Sequence, residues 1–122
     1  MNTHKHTMNI EPKACPRPRV KWVNGFPKVY YPKTYTEWKS RAEPITPVFD
    51  PPDYLKIVFV IKRPQSMKKG GRVPHSKRPD LDNFLKSIFD CLSFDDCKIH
   101  TLDVSKVYGA TGEEPCIELE WK

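Results

Sequence analysis

Two short acidic groups carry the chemical promise of this sequence. One is Asp80-Leu81-Asp82-Asn83 with Lys86 following, and the other is Asp95-Asp96 downstream. Clustered carboxylates repel and raise one another's pKa, so such a group usually exists to hold a cation. Aspartate oxygens suit a hard divalent ion such as Mg²⁺. Bound Mg²⁺ supports phosphodiester hydrolysis by generating the attacking hydroxide and stabilising the leaving oxygen. Lys86 would orient a carboxylate or offset charge developing on the phosphate. The competing reading is structural: a capping Asp80, a dipole-compensating Asp82, and Lys86 as its i,i+4 partner. No other catalytic apparatus competes, because no serine sits in a nucleophile elbow and Gly70-Gly71 is far from a phosphate-binding glycine loop.

The acidic group needs a scaffold that aims it. Pro79 fixes its own backbone torsion and biases Arg78 to an extended conformation, so a helix begins at or just after it. Leu81, Phe84, Leu85, Ile88, Phe89 and Leu92 fall on one arc, with Asp82, Asn83, Lys86, Ser87 and Asp90 on the other, which predicts a helix over 80–92. Within a regular helix Asp80 and Asp82 would point about 160° apart. To share a ligand, Asp80 must therefore sit on the incoming loop or cap. The run 54–62 is β-branched, aromatic and almost continuously apolar, which predicts a central strand covered on both faces. Further strands are expected over 3–10, 98–108 and 115–121, with a turn at Gly109–Gly112. A short helix is expected over 34–41, ended by Pro44 and Pro47, and a hairpin turns at Asn24-Gly25. The expectation is a single α+β domain over 1–122, a mixed sheet with one main and one short helix.

The charge pattern points to a polyanionic partner. The chain has 122 residues, a net charge of +6 and a pI near 9.2. In Pro16-Arg17-Pro18-Arg19-Val20-Lys21 the prolines enforce an extended backbone, so Arg17, Arg19 and Lys21 project to one side as a rail for phosphates. The loop 63–79 carries Arg63, Lys68, Lys69, Arg72, Lys77 and Arg78 without an acidic residue, and leads straight into Asp80. His4 and His6 share a strand face near the start of the chain, an arrangement more often inert than metal-binding. The four cysteines, Cys15, Cys91, Cys97 and Cys116, make no CxxC pair or zinc-finger spacing and read as free thiols, with Cys91 and Cys116 buried. With no apolar run long enough to span a membrane and no secretory signal, the expectation is a protein of the reducing cytoplasm.

The same residues resemble a known family. Arg78-Pro79-Asp80-Leu81-Asp82-Asn83, Lys86, Asp90, Asp95-Asp96 and Tyr108-Gly109 are similar to RusA, the Holliday junction resolvase. Pro12-Lys13-Ala14-Cys15-Pro16-Arg17-Pro18-Arg19 and Tyr30-Tyr31-Pro32-Lys33-Thr34 extend the resemblance over nearly the whole chain. It implies a homodimeric, Mg²⁺-dependent endonuclease, with Mn²⁺ as a substitute ion, that resolves four-way DNA junctions by paired nicks in recombination and repair. By position, Asp80, Asp82 and Asp96 would be metal ligands, with Asp95 the alternative to Asp96, and Lys86 the catalytic lysine. Arg17, Arg19, Lys21, Lys68, Lys69, Arg72, Lys77 and Arg78 would contact DNA. The carboxylates taken alone support only a metal-dependent phosphodiesterase. A non-catalytic DNA- or RNA-binding module, or a nuclease for other branched DNA, stays open at this stage.

Overall fold

The structure, a computed structural model, describes residues 2–122. In chain order its elements are β1 (His4–Met8), β2 (Arg19–Val23), β3 (Phe26–Tyr30), α1 (Lys33–Ala42), β4 (Leu55–Ile61), β5 (Val73–Pro74), α2 (Leu81–Phe89), β6 (Leu102–Tyr108) and β7 (Cys116–Trp121). One sheet has five strands in the order β1-β7-β4-β6-β5, and β2 and β3 form a separate hairpin. β4 pairs parallel to β6 and antiparallel to β7, while β1 with β7 and β5 with β6 are antiparallel. The fold is a mixed α+β arrangement with two helices, as the pattern predicts.

β4 is central because it is paired on both edges and its alternation turns one face into the core. Leu55, Ile57 and Phe59 have no solvent exposure and share a core with Tyr35, Trp38 and Ala42 of α1 and Phe84 and Ile88 of α2. Phe59 stacks on Phe84 with ring centroids 5.4 Å apart. The other face is not fully covered as expected. Lys56 and Val58 stay half-exposed because both helices lie on the same side. The β4–α2–β6 segment is thus a parallel crossover that brings the start of α2 towards the C-terminal ends of both strands.

Several boundaries differ from the sequence expectation for local reasons. α1 has ten residues, and the chain then tightens into a 3-10 turn over Glu43–Ile45 that tolerates Pro44 in its first turn. α2 ends at Phe89 rather than at 92, where the amides of Cys91 and Leu92 switch to the carbonyls of Ile88 and Phe89, three residues back. Ser87, expected on the wet face, is fully buried and donates to the Phe84 carbonyl at 2.6 Å. β6 starts at Leu102 because Asp96–Lys98 form a 3-10 turn ahead of it. β1 covers only His4–Met8 of the expected 3–10. The two-residue edge strand β5 was not anticipated, and its proline suits an edge.

Side-chain bonds lock α1 to its surroundings. The Tyr35 hydroxyl donates to the Asp90 carboxylate at 2.8 Å, and the Trp38 indole donates to the Glu11 carbonyl at 2.7 Å. Burial, reinforced by Asp90, pushes the Tyr35 phenol pKa up, so it remains a donor. All four cysteines are free; Cys15 and Cys116 are buried, Cys97 is exposed, and Cys91 is only half-buried, with its thiol pushed up to about 11 by that burial. His4 stacks on Trp121 at 5.6 Å and His6 Nε2 lies 3.2 Å from the Ile45 carbonyl, so both serve packing.

Candidate metal and nucleic-acid site

The start of α2 opens onto a cleft of roughly 680 Å³. Its walls come from the Pro12–Arg17 segment, Arg19, Ile61 at the end of β4, His75, Pro79, Asp80, Asp82, Asn83 and Phe84. Asp80 and Asp82 both line it. Asp80 occupies the N-cap position of α2 with an extended backbone, φ −69° and ψ 150°, as sharing a ligand with Asp82 requires. An aspartate there ordinarily accepts a hydrogen bond from an amide of the first turn. The Asp80 side chain accepts none; its backbone carbonyl takes the amides of Asn83 and Phe84 at 3.1 and 3.3 Å instead. The capping role does not account for this carboxylate.

Asp82 follows in the first turn, where the helix dipole favours an anion. Among the described residues no ion pair joins it to Lys86, so the structural pairing is not made either. Asp80, Asp82 and Lys86 are all exposed. Two free carboxylates with water and phosphate oxygens form the kind of set Mg²⁺ takes, since it keeps several waters and uses few protein ligands. The donors present fit that ion.

The other acidic pair lies elsewhere. Phe94 packs edge-on against Phe49, which stacks on Trp121, and Trp121 pairs with Leu55 at the beginning of β4. Asp95 and Asp96 therefore belong to the far end of the sheet, beyond the opposite end of α2 from Asp80, a nine-residue helix about 13 Å long. Asp95 caps its 3-10 turn by accepting the Cys97 amide at 3.1 Å, and that bond holds its carboxyl below the usual range. Asp96 makes no such bond. Among the described residues no three Asp, Glu, His or Cys side chains gather as a metal-binding group.

The basic residues divide in the same way. The Cys15 amide donates to the Asn83 carbonyl at 2.9 Å, which stitches the Pro12–Arg19 segment to the first turn of α2 and brings Arg17 and Arg19 to the cleft. Lys77 and Arg78 are exposed just ahead of Asp80. Lys21 lies over the Tyr30 ring, 5.2 Å from its centroid, on the hairpin. Lys68 and Lys69 are exposed on a loop whose shape is set by Arg63. The Arg63 guanidinium donates to the Gly71 and Gly109 carbonyls at 2.7 and 3.2 Å and to that of Lys68. Arg72 turns away to a double ion pair with Glu113 (2.6 Å) and Glu118 (2.8 Å), which it holds below the usual carboxylate range. Its charge is already matched within the fold.

Two residues of the cleft region escaped the sequence reading. His75 is 7% exposed, lines the cleft, and packs edge-on against Tyr108 at 4.7 Å. Burial, followed by the charges of Lys106 and Lys77, depresses its pKa and favours the neutral ring. Lys106, on β6, donates to the Lys77 and Pro79 carbonyls. The only sequence signal for it was its place in the alternation of β6, on the face shared by Val104 and Tyr108.

Paired free carboxylates, a nearby lysine and an electropositive rim can hold a cation against a phosphodiester. The family model for endodeoxyribonuclease RusA matches residues 9–120. No curated protein matches the chain. With 9–120 of its 122 residues matched, this chain belongs to the RusA endodeoxyribonuclease family.

Proposed function

We propose that this protein is a Mg²⁺-dependent, structure-specific endonuclease that resolves four-way DNA junctions by paired symmetric nicks, in recombination and repair. The observation that carries the reading is Asp80: a carboxylate at a helix N-cap that makes no cap, beside Asp82 in a cation-rimmed cleft. A Mg²⁺ ion held there would supply a nucleophilic hydroxide at neutral pH and charge stabilisation for the leaving oxygen, a role Mn²⁺ would also fill. Asp80 and Asp82 hold the ion. Lys86, one turn along the exposed face of α2, reaches the scissile phosphate and offsets its growing charge. Arg17, Arg19, Lys77 and Arg78 bind flanking phosphates and set the register of the strand.

The active unit is a homodimer in this reading. A two-fold protein places one cleft on each of two equivalent strands. The position of Asp96, far from the cleft of its own chain, fits a shared site: Asp96 of the partner subunit becomes the third ligand. The β2–β3 hairpin supports a branched substrate. Asn24 and Gly25 have φ of 51° and 81°, the pair of positive values that a tight two-residue turn requires. Every residue of both strands is exposed, including Trp22 at 72% and Phe26 at 73%. Exposed aromatics flanked by Arg19, Lys21 and Lys28 can stack on bases unpaired at a branch point while the cations hold the backbone. Four free thiols are in keeping with a reducing cytoplasm.

The test is a gel assay on a synthetic four-way junction and its matching linear duplex, with Mg²⁺ and with EDTA. The expected result is symmetric nicks in the junction alone, lost in EDTA. Equal cutting of flaps and junctions would make the protein a general branched-DNA nuclease. A shifted but uncut junction in every condition would leave a binding module.

A further inference from the structure

Lys106 sits on β6 opposite Phe59 of β4, so its side chain rises from the face on which the helices pack. Its ammonium donates to the Lys77 carbonyl at 2.6 Å and the Pro79 carbonyl at 2.8 Å. Its own carbonyl accepts the His75 amide at 3.1 Å. One residue therefore fixes the segment 75–79 at three points, the last immediately before Asp80. Charge-assisted bonds of this kind are roughly twice as strong as neutral ones. The first turn of the helix holds Asp80 through its backbone carbonyl alone, and its carboxylate makes no cap bond, so the incoming segment shares in fixing its approach.

We propose that Lys106 is the positioning residue of the metal site: its ammonium clamps the Lys77 and Pro79 carbonyls and so sets where Asp80 meets the ion. The proposal rests on the metal-site reading above and goes a step beyond it. It also has a sign of its own. A nearby positive charge by itself opposes a bound cation, so removing it should tighten metal binding. Loss of a positioning bond should weaken it, by about tenfold for supporting residues of this kind.

The measurement is Mn²⁺ binding to the full chain without DNA, followed by the electron paramagnetic resonance signal of free Mn²⁺. Wild type, Lys106→Met and Asp82→Asn are compared, with thermal unfolding of each. The expected result is saturable binding by wild type, about tenfold weaker binding by a folded Lys106→Met, and loss of binding in Asp82→Asn. Equal or tighter binding by Lys106→Met, with Asp82→Asn defective, would overturn the role of Lys106 and leave the metal site standing. No saturable binding by wild type, or unchanged binding in Asp82→Asn, would overturn both. Should Lys106→Met fail to fold, Lys106→Arg decides. It keeps the charge but not the compact ammonium between two carbonyls, so weakened binding supports positioning and unchanged binding overturns it.

Discussion

At the scale of single residues, the argument turns on groups that a purely structural role leaves unused. Asp80 sits where a cap belongs and makes none, and Lys86 sits one turn from Asp82 without pairing to it. A lysine that makes no ion pair within the fold, and that in the proposed complex faces a phosphate, should be dispensable for folding and needed for the chemical step. Lys86→Ala is expected to fold and bind junctions as wild type does, while cleaving on the order of a hundredfold more slowly, as single-turnover kinetics would show. An unfolded product or undiminished cleavage would contradict the assignment. The Asp80–Asp82 pair was legible because its logic is local: a proline, an i,i+2 spacing and the start of an apolar arc. Arg72 was not, since its partners lie 41 and 46 residues away in sequence. Without that pairing it reads as one more cation in a basic loop. Lys106 was hidden for the same reason: its acceptors are backbone carbonyls 27 and 29 residues back.

At the scale of elements, the hairpin and the crossover do different work. The β4–α2–β6 crossover is tied into the core, with Phe84 and Ile88 buried in one cluster with Leu55, Ile57 and Phe59, and it carries the carboxylates. The hairpin packs none of its side chains into that core and presents aromatics instead. Asn24-Gly25 between two short β-prone runs announced it, and the two-residue turn formed as the dipeptide dictates. Its full exposure was not legible, because the apolar residues Val20, Trp22, Val23, Phe26 and Val29 read equally well as a face to be covered. If Phe26 stacks at the branch point, Phe26→Ala should leave the unfolding temperature unchanged and weaken junction binding roughly tenfold, with little effect on duplex binding in a gel-shift comparison. Equal loss on both substrates would reduce the hairpin to a general DNA contact. The ends of α2 and β6 were misjudged because periodicity continues through Leu92 and Ile99, whereas the backbone turns at Asp90 and again at Asp96–Lys98.

At the scale of the whole molecule, the two acidic groups are held at opposite ends of one small sheet, and the positive charge gathers mainly around one of them. Arg17 and Arg19 converge on the Asp80–Asp82 cleft, with Lys77 and Arg78 just ahead of it in the chain, while Asp96 waits at the other end without a capping bond. Sequence alone suggested one compact cluster because the acidic groups lie close along the chain, and α2 is the element that separates them. In the proposed homodimer a second copy related by two-fold symmetry would reconcile the two ends, and it would suit a substrate with two equivalent strands to cut. The most direct test of the account is Asp82→Asn compared with wild type on a four-way junction in Mg²⁺, with binding and cleavage read from the same reactions. The account predicts a junction bound with wild-type affinity and left uncut. Cleavage that survives the substitution would contradict it, and would remove the start of α2 from the chemistry altogether.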